Sequence, residues 1–477
     1  MPSLELALVG QVLLWLIVVA VFAASGQASI FHPLTIYLAF HGVVFVVRPI
    51  LIQYLHFDSV YHYMIFNPPG EIIIKTMAVS SVALLVFSAA TLLLGRYEVA
   101  GFRPQPPPFS SVQVMALVAT TLLLAPMVAY SIVASNNGAV TGENRGGVFV
   151  MTGASGYSAE AQNMAGSLIC MWLVATRFSR IGLLPLILYV GYRSYCGWAR
   201  WTIVLLFLAL ALVYAWQNRI RWLPLWSVVV AIPLFLLFQT LGHNRGFVQD
   251  LLLGNPVQPS ADATMTSADK AKEKYDTQEF ANFDYLCYVV WTVPDLSGGY
   301  TYGSQYLELF TEPIPRKLWP GKPVGAPVAL VDLNKFGNFN GLTVSLPGDG
   351  WLSGGWLGLI ITMGLAGAML GRAHRWFWAN STNNLAALFY LVGLAMIPQW
   401  FRDGGISISK FLLWNWLPLI IWMGFTWLLG HREVPGYSVV LQGGARVRLL
   451  DPEIGIKPAT ARERATHQGV PAKNPSL

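Results

Sequence analysis

Charge is what this sequence has least of. Only 11% of its 477 residues are Asp, Glu, Lys or Arg, while 55% are hydrophobic and the mean hydropathy is +0.53. A soluble domain carries about a quarter charged residues, so a water-soluble globule is excluded. Cysteine is scarce as well. Cys170 and Cys196 lie in or beside apolar runs and Cys287 in a connecting segment, which offers neither a disulfide framework nor paired metal-ligand spacing. There is no G-x-x-x-x-G-K-[ST] loop, so ATP is not bound in that way. No H-E-x-x-H and no Cys/His cluster is present to hold zinc, and no D-x-D pair to hold a metal on a nucleotide diphosphate. No metal and no cofactor is expected. The first residues, "MPSLELALVG", lack a basic region and a cleavage pattern, and read as the start of a retained span.

What the chain does have is apolar length. Hydrophobic runs of about 18 residues or more recur from end to end, each long enough to cross the hydrocarbon core as a helix. A spanning backbone must satisfy its own hydrogen bonds, and these runs are far longer than barrel strands. The expected fold class is therefore an all-α polytopic membrane protein. About eleven spans are read, at 4–24, 30–53, 72–95, 113–134, 163–177, 181–197, 201–217, 223–242, 350–371, 384–401 and 412–430. They make an N-terminal bundle over 1–242 with a connection at 135–162, a large loop at 243–349, further helices over 350–430, and a flexible tail at 431–477.

The net charge of +7 does not call for nucleic acid, because cations at span ends produce a basic balance by themselves. Arg96, Arg103, Arg177, Arg180, Arg219, Arg221, Arg372 and Arg375 flank alternate connections, and Arg432, Arg446, Arg448, Arg462 and Arg464 stand in the tail. The positive-inside rule puts these in the cytoplasm and the segments 135–162 and 243–349 outside. Inside the spans only Arg48, Lys75 and Arg193 interrupt the apolar runs, near their ends, and read as snorkelling or topological cations.

The large loop has a pattern of its own. "SADKAKEKYDTQEF" opens with Ser267 as a candidate N-cap. "FDYLCYVVWTV" is too short to span and suits an interfacial or re-entrant helix. "SQYLELF" reads as a short amphipathic helix stopped by Pro313. Then "PIPRKLWPGKP" sets Arg316, Lys317 and Lys322 among four prolines that stiffen the backbone. Arginine presents a planar fork that matches phosphate oxygens, and lysine a compact point charge. Trp319 suits the headgroup level. Such a loop fits a diphosphate on a lipid, or else a cationic rim on anionic headgroups. Arg145 in "TGENRGG", Arg245 in "GHNRGF" and Arg402 beside Asp403 in "QWFRDGG" add cations to the same face, which favours an anionic external substrate.

The stretch "GGYTYGSQYLELFTEPIPRKLWPGKP", followed by "SLPGDGWLSGGWLGLIITMGLAGAMLG", resembles the Wzy-type O-antigen and oligosaccharide repeat-unit polymerases. In that family a PR-x-x-W-P-x-K-P segment of a large periplasmic loop precedes an acidic residue and a Gly-rich start to the next span. The acidic position here is Asp349, where the family more often has glutamate. The resemblance implies a glycosyltransferase-C-like bundle in the bacterial inner membrane and a nucleotide-free reaction. A glycan on undecaprenyl diphosphate is transferred to the terminal sugar hydroxyl of another lipid-linked repeat unit, and undecaprenyl diphosphate leaves. The resemblance further implies partners: the lipid-linked oligosaccharide, the bilayer, a chain-length regulator and a flippase. Arg316 and Lys322, with Arg402, would neutralise the departing diphosphate. Asp349 or Asp403 would accept the hydroxyl proton, unless Asp349 is a helix N-cap and Asp403 a salt-bridge partner. Tyr300, Tyr302, Trp319 and Trp351 would stack on sugars or anchor at the interface. Two other readings stay open, an O-antigen ligase using the same donor and a flippase or exporter of lipid-linked saccharides.

Overall fold

The computed structural model describes residues 3–97, 106–136, 142–145, 148–151, 160–195, 200–224, 227, 229, 276, 278–311, 314, 318–319, 327–405, 407–430, 438–440 and 446–448. Helices form wherever the apolar runs are longest: α1 (Leu4–Ala24), α2 (Pro33–Leu55), α3 (Gly70–Gly95) and α4 (Ser111–Asn136). Three shorter ones follow, α5 (Met164–Ala175), α6 (Leu184–Tyr195) and α7 (Arg200–Gln217). The chain continues with α8 (Asn282–Thr292), α9 (Ser345–Ala379), α10 (Asn384–Asp403) and α11 (Ser407–Gly430). Among the described residues, seven helices are long and apolar enough to cross a membrane. This is a multi-pass membrane protein with an essentially helical fold.

The structure differs from the expectation of eleven spans in specific places. The runs at 163–177 and 181–197 become α5 and α6, each of 12 residues. Twelve residues of helix reach only about 18 Å, short of the roughly 30 Å of hydrocarbon. The run at 223–242 lies almost wholly outside the described residues, as does Ser267. The last group of helices begins at Ser345 rather than 350. In the connection 135–162 the strand Gly142–Arg145 pairs antiparallel with Val148–Met151.

The chain divides into two units, Met1–Thr426 and Trp427–Leu477. The second holds the end of α11 and a small hairpin, Ser438–Val440 with Arg446–Arg448. In the first, α10 is the hub and packs against α2, α5, α7 and α9. Its ends sort the connections into two groups. At one, Trp216 Nε1 donates to Ser381 O at 2.9 Å, Arg221 Nε to Ala28 O at 2.7 Å, and Asn384 Nδ2 to Pro107 O at 2.9 Å. At the other, Asn282 Nδ2 donates to Arg402 O at 2.8 Å, Asn338 N to Met64 O at 3.0 Å, and Tyr63 OH to Asn340 O at 3.0 Å. The pairing alternates as the order of the helices requires.

The tightest helix pair is α3 with α9, running parallel through small residues. A Cβ on Gly367 would fall 2.7 Å from Phe87 O, and one on Gly371 would fall 2.8 Å from Thr91 O. With no hydrophobic drive between helices in lipid, such close backbone contact supplies the packing energy. Gly371→Leu is expected to force the pair apart and cost about 1–3 kcal/mol or more by overpacking. Thermal unfolding in detergent checks this; an unchanged midpoint would remove α3–α9 contact from the list of stabilising features.

Two of the three cations inside the apolar runs, Arg48 and Arg193, are buried. Arg48 is 2% exposed and forms a buried ionic triad: Nε and Nη2 donate to Asp284 at 2.9 and 3.1 Å, and Nη1 lies 2.7 Å from Asp276 Oδ1. The Lys75 ammonium lies over the Trp351 ring at 5.2 Å, and Arg193 is 1% exposed with its Nη1 on Gln162 Oε1. Snorkelling toward water is therefore corrected for Arg48 and Arg193, whose side chains turn into the protein. The "FDYLCYVVWTV" segment, read as interfacial or re-entrant, forms α8 and is buried against the rest of the protein from Asn282 through Val290.

Candidate functional site

The chain breaks helix α9 near its start. Gly354 and Gly355 leave helical geometry, with Gly355 at φ 59°, ψ −133°, a left-handed setting that a side chain resists. A Cβ there would also stand 2.7 Å from Tyr300 Oη. The short helical piece 345–353 folds back along the piece that follows, so that Gly350 and Gly358 meet; a Cβ on Gly358 would fall 2.4 Å from Gly350 O. Discontinuous helices of this kind carry side chains and free backbone groups to a depth that a loop at the surface does not reach.

The break delivers Asp349 into the protein. It is 1% exposed, and its carboxylate accepts from Gln305 Nε2 at 3.0 Å, Tyr306 OH at 2.9 Å and Gly405 N at 2.9 Å. Three parts of the chain thus meet on one carboxylate: the segment 299–306, the folded-back piece 345–353, and the turn after α10. Gln305 Nε2 also donates to Ser353 Oγ at 2.7 Å, and Thr301 N to Leu352 O at 2.8 Å, so the clasp is fastened along its length. Burial and the neighbouring Asp349 charge push the Tyr306 hydroxyl well above its ordinary range, which keeps it a proton donor to the carboxylate.

Asp349 is inside α9 and not at its N-cap, because the helix starts at Ser345. Three donors occupy its carboxylate, two on Oδ2 and one on Oδ1, out of about four lone-pair sites. Asp403 does have a cation beside it, Arg402 Nη1 at 3.7 Å, and receives a hydrogen bond from Gln399 Nε2. Asp403 and Arg402 are 12% and 18% exposed, which makes them more open than Asp349. The Arg402 carbonyl accepts from Asn282 Nδ2 and from Thr343 Oγ1 at 3.0 Å, tying α10 to the start of α8.

The aromatic residues separate. Tyr302 is 80% exposed, Trp319 is 40% exposed, and Tyr300 is half-buried with its ring 6.1 Å from that of Tyr302. Trp351 is removed from any sugar-stacking role: it is 2% exposed, donates from Nε1 to Val293 O at 2.8 Å, and packs its ring against Lys75 and Trp356. Arg316, Lys317, Lys322 and Arg245 lie outside the described residues, and of Arg145 only the strand backbone is described.

Gln305, Tyr306 and Gly405 were not among the residues marked from sequence. Gln305 and Tyr306 sit in "SQYLELF", read as a helix face, and the structure makes this a 3-10 turn, Ser304–Leu307, followed by a short helix, Glu308–Thr311, that ends before Pro313. Their adjacency to the tyrosine-rich "GGYTYG" was the available signal. Among the described residues no group of three or more His, Cys, Asp or Glu is placed to hold a metal ion. No known protein family, no curated protein and no solved structure matches the chain.

Proposed function

We propose that the chain is a glycosyltransferase of the bacterial inner membrane that polymerises undecaprenyl-diphosphate-linked oligosaccharide repeat units into surface polysaccharide at the periplasmic face. One observation carries the reading. The two halves of the polymerase-like segment, 299–306 and 345–353, are clasped on Asp349 at the end of the bundle that also holds Arg402 and Asp403. In this reading that end faces the periplasm, residues 243–344 form the catalytic loop, and further spans complete a glycosyltransferase-C-like bundle.

The reaction breaks the bond between the anomeric carbon and the diphosphate oxygen and forms a glycosidic bond to the acceptor hydroxyl. The diphosphate departs with the bonding electron pair, and positive groups fixed beside it stabilise that charge. Arg316, Lys322 and Arg402 are assigned this role, by residue type and by place in the chain. The acceptor proton goes to a carboxylate within hydrogen-bond reach. Asp403 is the more accessible of the two candidates, and Asp349 holds the surrounding backbone in place. Arg316→Ala is expected to abolish chain extension in cells while leaving membrane insertion unchanged. Long-chain glycan persisting in that strain, at a normal protein level, contradicts the leaving-group role.

A second reading, a carrier of lipid-linked saccharides, draws support from a different observation. The protein has a broken helix and a buried ionic triad, Arg48 with Asp276 and Asp284, and ionisable groups inside a bundle are common in transport pathways. A carrier moves its substrate without changing it, so product size separates the two.

A further inference from the structure

The connection Tyr300–Phe310, "YTYGSQYLELF", faces two ways. Gln305 is buried and Tyr306 half-buried, and both turn to Asp349. Their neighbours turn outward: Phe310 is 79% exposed, Leu307 is 64% exposed, and Tyr302 and Leu309 are exposed as well. Tyr302 is held out by a backbone at φ 51°, followed by Gly303 at φ 77°, a left-handed setting uncommon for a bulky side chain. The only charged residue of the stretch is Glu308. Exposed apolar surface gathered in this way on a connection marks a contact with something other than water.

The contacts of the connection fix its depth. Thr301 N donates to Leu352 O at 2.8 Å, and Tyr300 Oη lies so close to Gly355 that a Cβ there would stand 2.7 Å from it. The Trp351 ring of the same helical piece lies under the Lys75 ammonium at 5.2 Å, and Lys75 is in the second turn of the 26-residue α3. A helix of that length is about 39 Å long and overshoots the roughly 30 Å of hydrocarbon by about 4–5 Å at each end. Lys75, about 7–8 Å along α3, is therefore at the hydrocarbon boundary, and the connection with it. From Gly355 onward α9 turns Trp356, Leu357, Ile360 and Ile361 outward, the lipid-facing side of a spanning helix. Tyr300 meets α9 one residue before that band begins.

We infer that the connection Tyr302–Phe310 is an interfacial anchor, its outward apolar side chains inserted into the headgroup–acyl boundary of the bilayer in continuity with the lipid-facing side of α9. Tyrosine suits that level, with an apolar ring and a polar tip. Because Gln305 and Tyr306 hold Asp349 from the same stretch, insertion keeps the carboxylate clasp at the depth of lipid headgroups. This anchoring is independent of which reaction the site performs.

The test uses the purified full-length protein in phosphatidylcholine nanodiscs, carrying Cys196→Ser and a nitroxide on Phe310→Cys. Cys170 and Cys287 are buried and stay unlabelled, which the Cys196→Ser protein without an added cysteine checks. Electron paramagnetic resonance then compares relaxation by oxygen, which concentrates in hydrocarbon, with relaxation by a water-soluble nickel chelate. Nitroxides on Leu365→Cys, outward on α9, and on Asn218→Cys, in an exposed connection, set the lipid and water limits. The Phe310 label is expected to respond to oxygen more than to nickel, at a depth of about 5–10 Å into the boundary. Leu307→Cys is expected to give the same result, and it serves if the Phe310→Cys protein does not accumulate. A label as open to nickel as that on Asn218→Cys overturns the inference. So does a label shielded from both reagents, which would mean that another protein surface covers the connection. No saccharide is needed, so the outcome stands apart from any test of glycosyl transfer.

Discussion

Arg48→Ala is expected to destabilise the purified protein by about 3–5 kcal/mol, the cost of leaving buried carboxylates without their cation. Asp276 and Asp284 are both buried, and Asp284 is held by two charge-assisted hydrogen bonds from the guanidinium. The alanine removes the cation that both carboxylates share. It also removes the link between α2 and α8, since Asp284 lies in the first turn of α8 and Asp276 a few residues before it. Because Asn282 in turn holds the Arg402 carbonyl, loosening α8 reaches the candidate site. Arg48→Lys is expected to recover only part of the loss, because an ammonium lacks the fork that spans both carboxylates. Thermal or denaturant unfolding in detergent measures both variants. A midpoint for Arg48→Ala equal to wild type means that the triad is not the anchor of α8.

Asp349→Ala is expected to cost about 2–4 kcal/mol in stability, as one buried and two half-buried donors lose their acceptor, and to remove chain extension altogether. The two effects arise together because the clasp on Asp349 shapes the backbone of the site. Tyr306→Phe deletes one of the three donors and leaves Gln305 and Gly405 in place. It is expected to cost about 1 kcal/mol and to retain most of the activity. Measuring unfolding midpoint and glycan length in the same preparations separates holding from chemistry. An Asp349→Ala protein that melts like wild type yet makes no polymer would make this carboxylate a participant in proton transfer rather than an anchor.

Much of the frame was legible in the sequence because long apolar runs have few other structures open to them. α1 to α4, α10 and α11 fall close to where hydropathy puts them, and α9 extends the run read at 350–371 to Ser345–Ala379. The bonds that join "GGYTYGSQ" to "PGDGW" were not legible in the sequence. What hydropathy does not encode is pairing over distance. Arg48 reads as a lone cation near a span end, and its carboxylate partner Asp284 lies 236 positions away. The break at Gly354 and Gly355 is hidden because "WLSGGWLGLI" is as apolar as an unbroken span, and only the backbone angles distinguish them. Trp351 shows the same limit: an aromatic at a predicted interface can turn inward when a carbonyl such as that of Val293 is there to receive its N–H. Arg193 could be marked as an intramembrane cation, but its hydrogen bond to Gln162 became visible only with its neighbours in place.

The central claim, that this chain forms glycosidic bonds from a lipid-linked donor, is tested most directly by reconstitution. Purified protein in nanodiscs is mixed with an undecaprenyl-diphosphate-linked repeat unit, with no nucleotide and no metal added, and the saccharide products are sized on a gel. A ladder of multiples of the repeat unit, lost in Arg316→Ala, is the predicted result. A single species of unchanged size would contradict the claim and favour a carrier, and transfer seen only after lipid A core is supplied would make the protein a ligase.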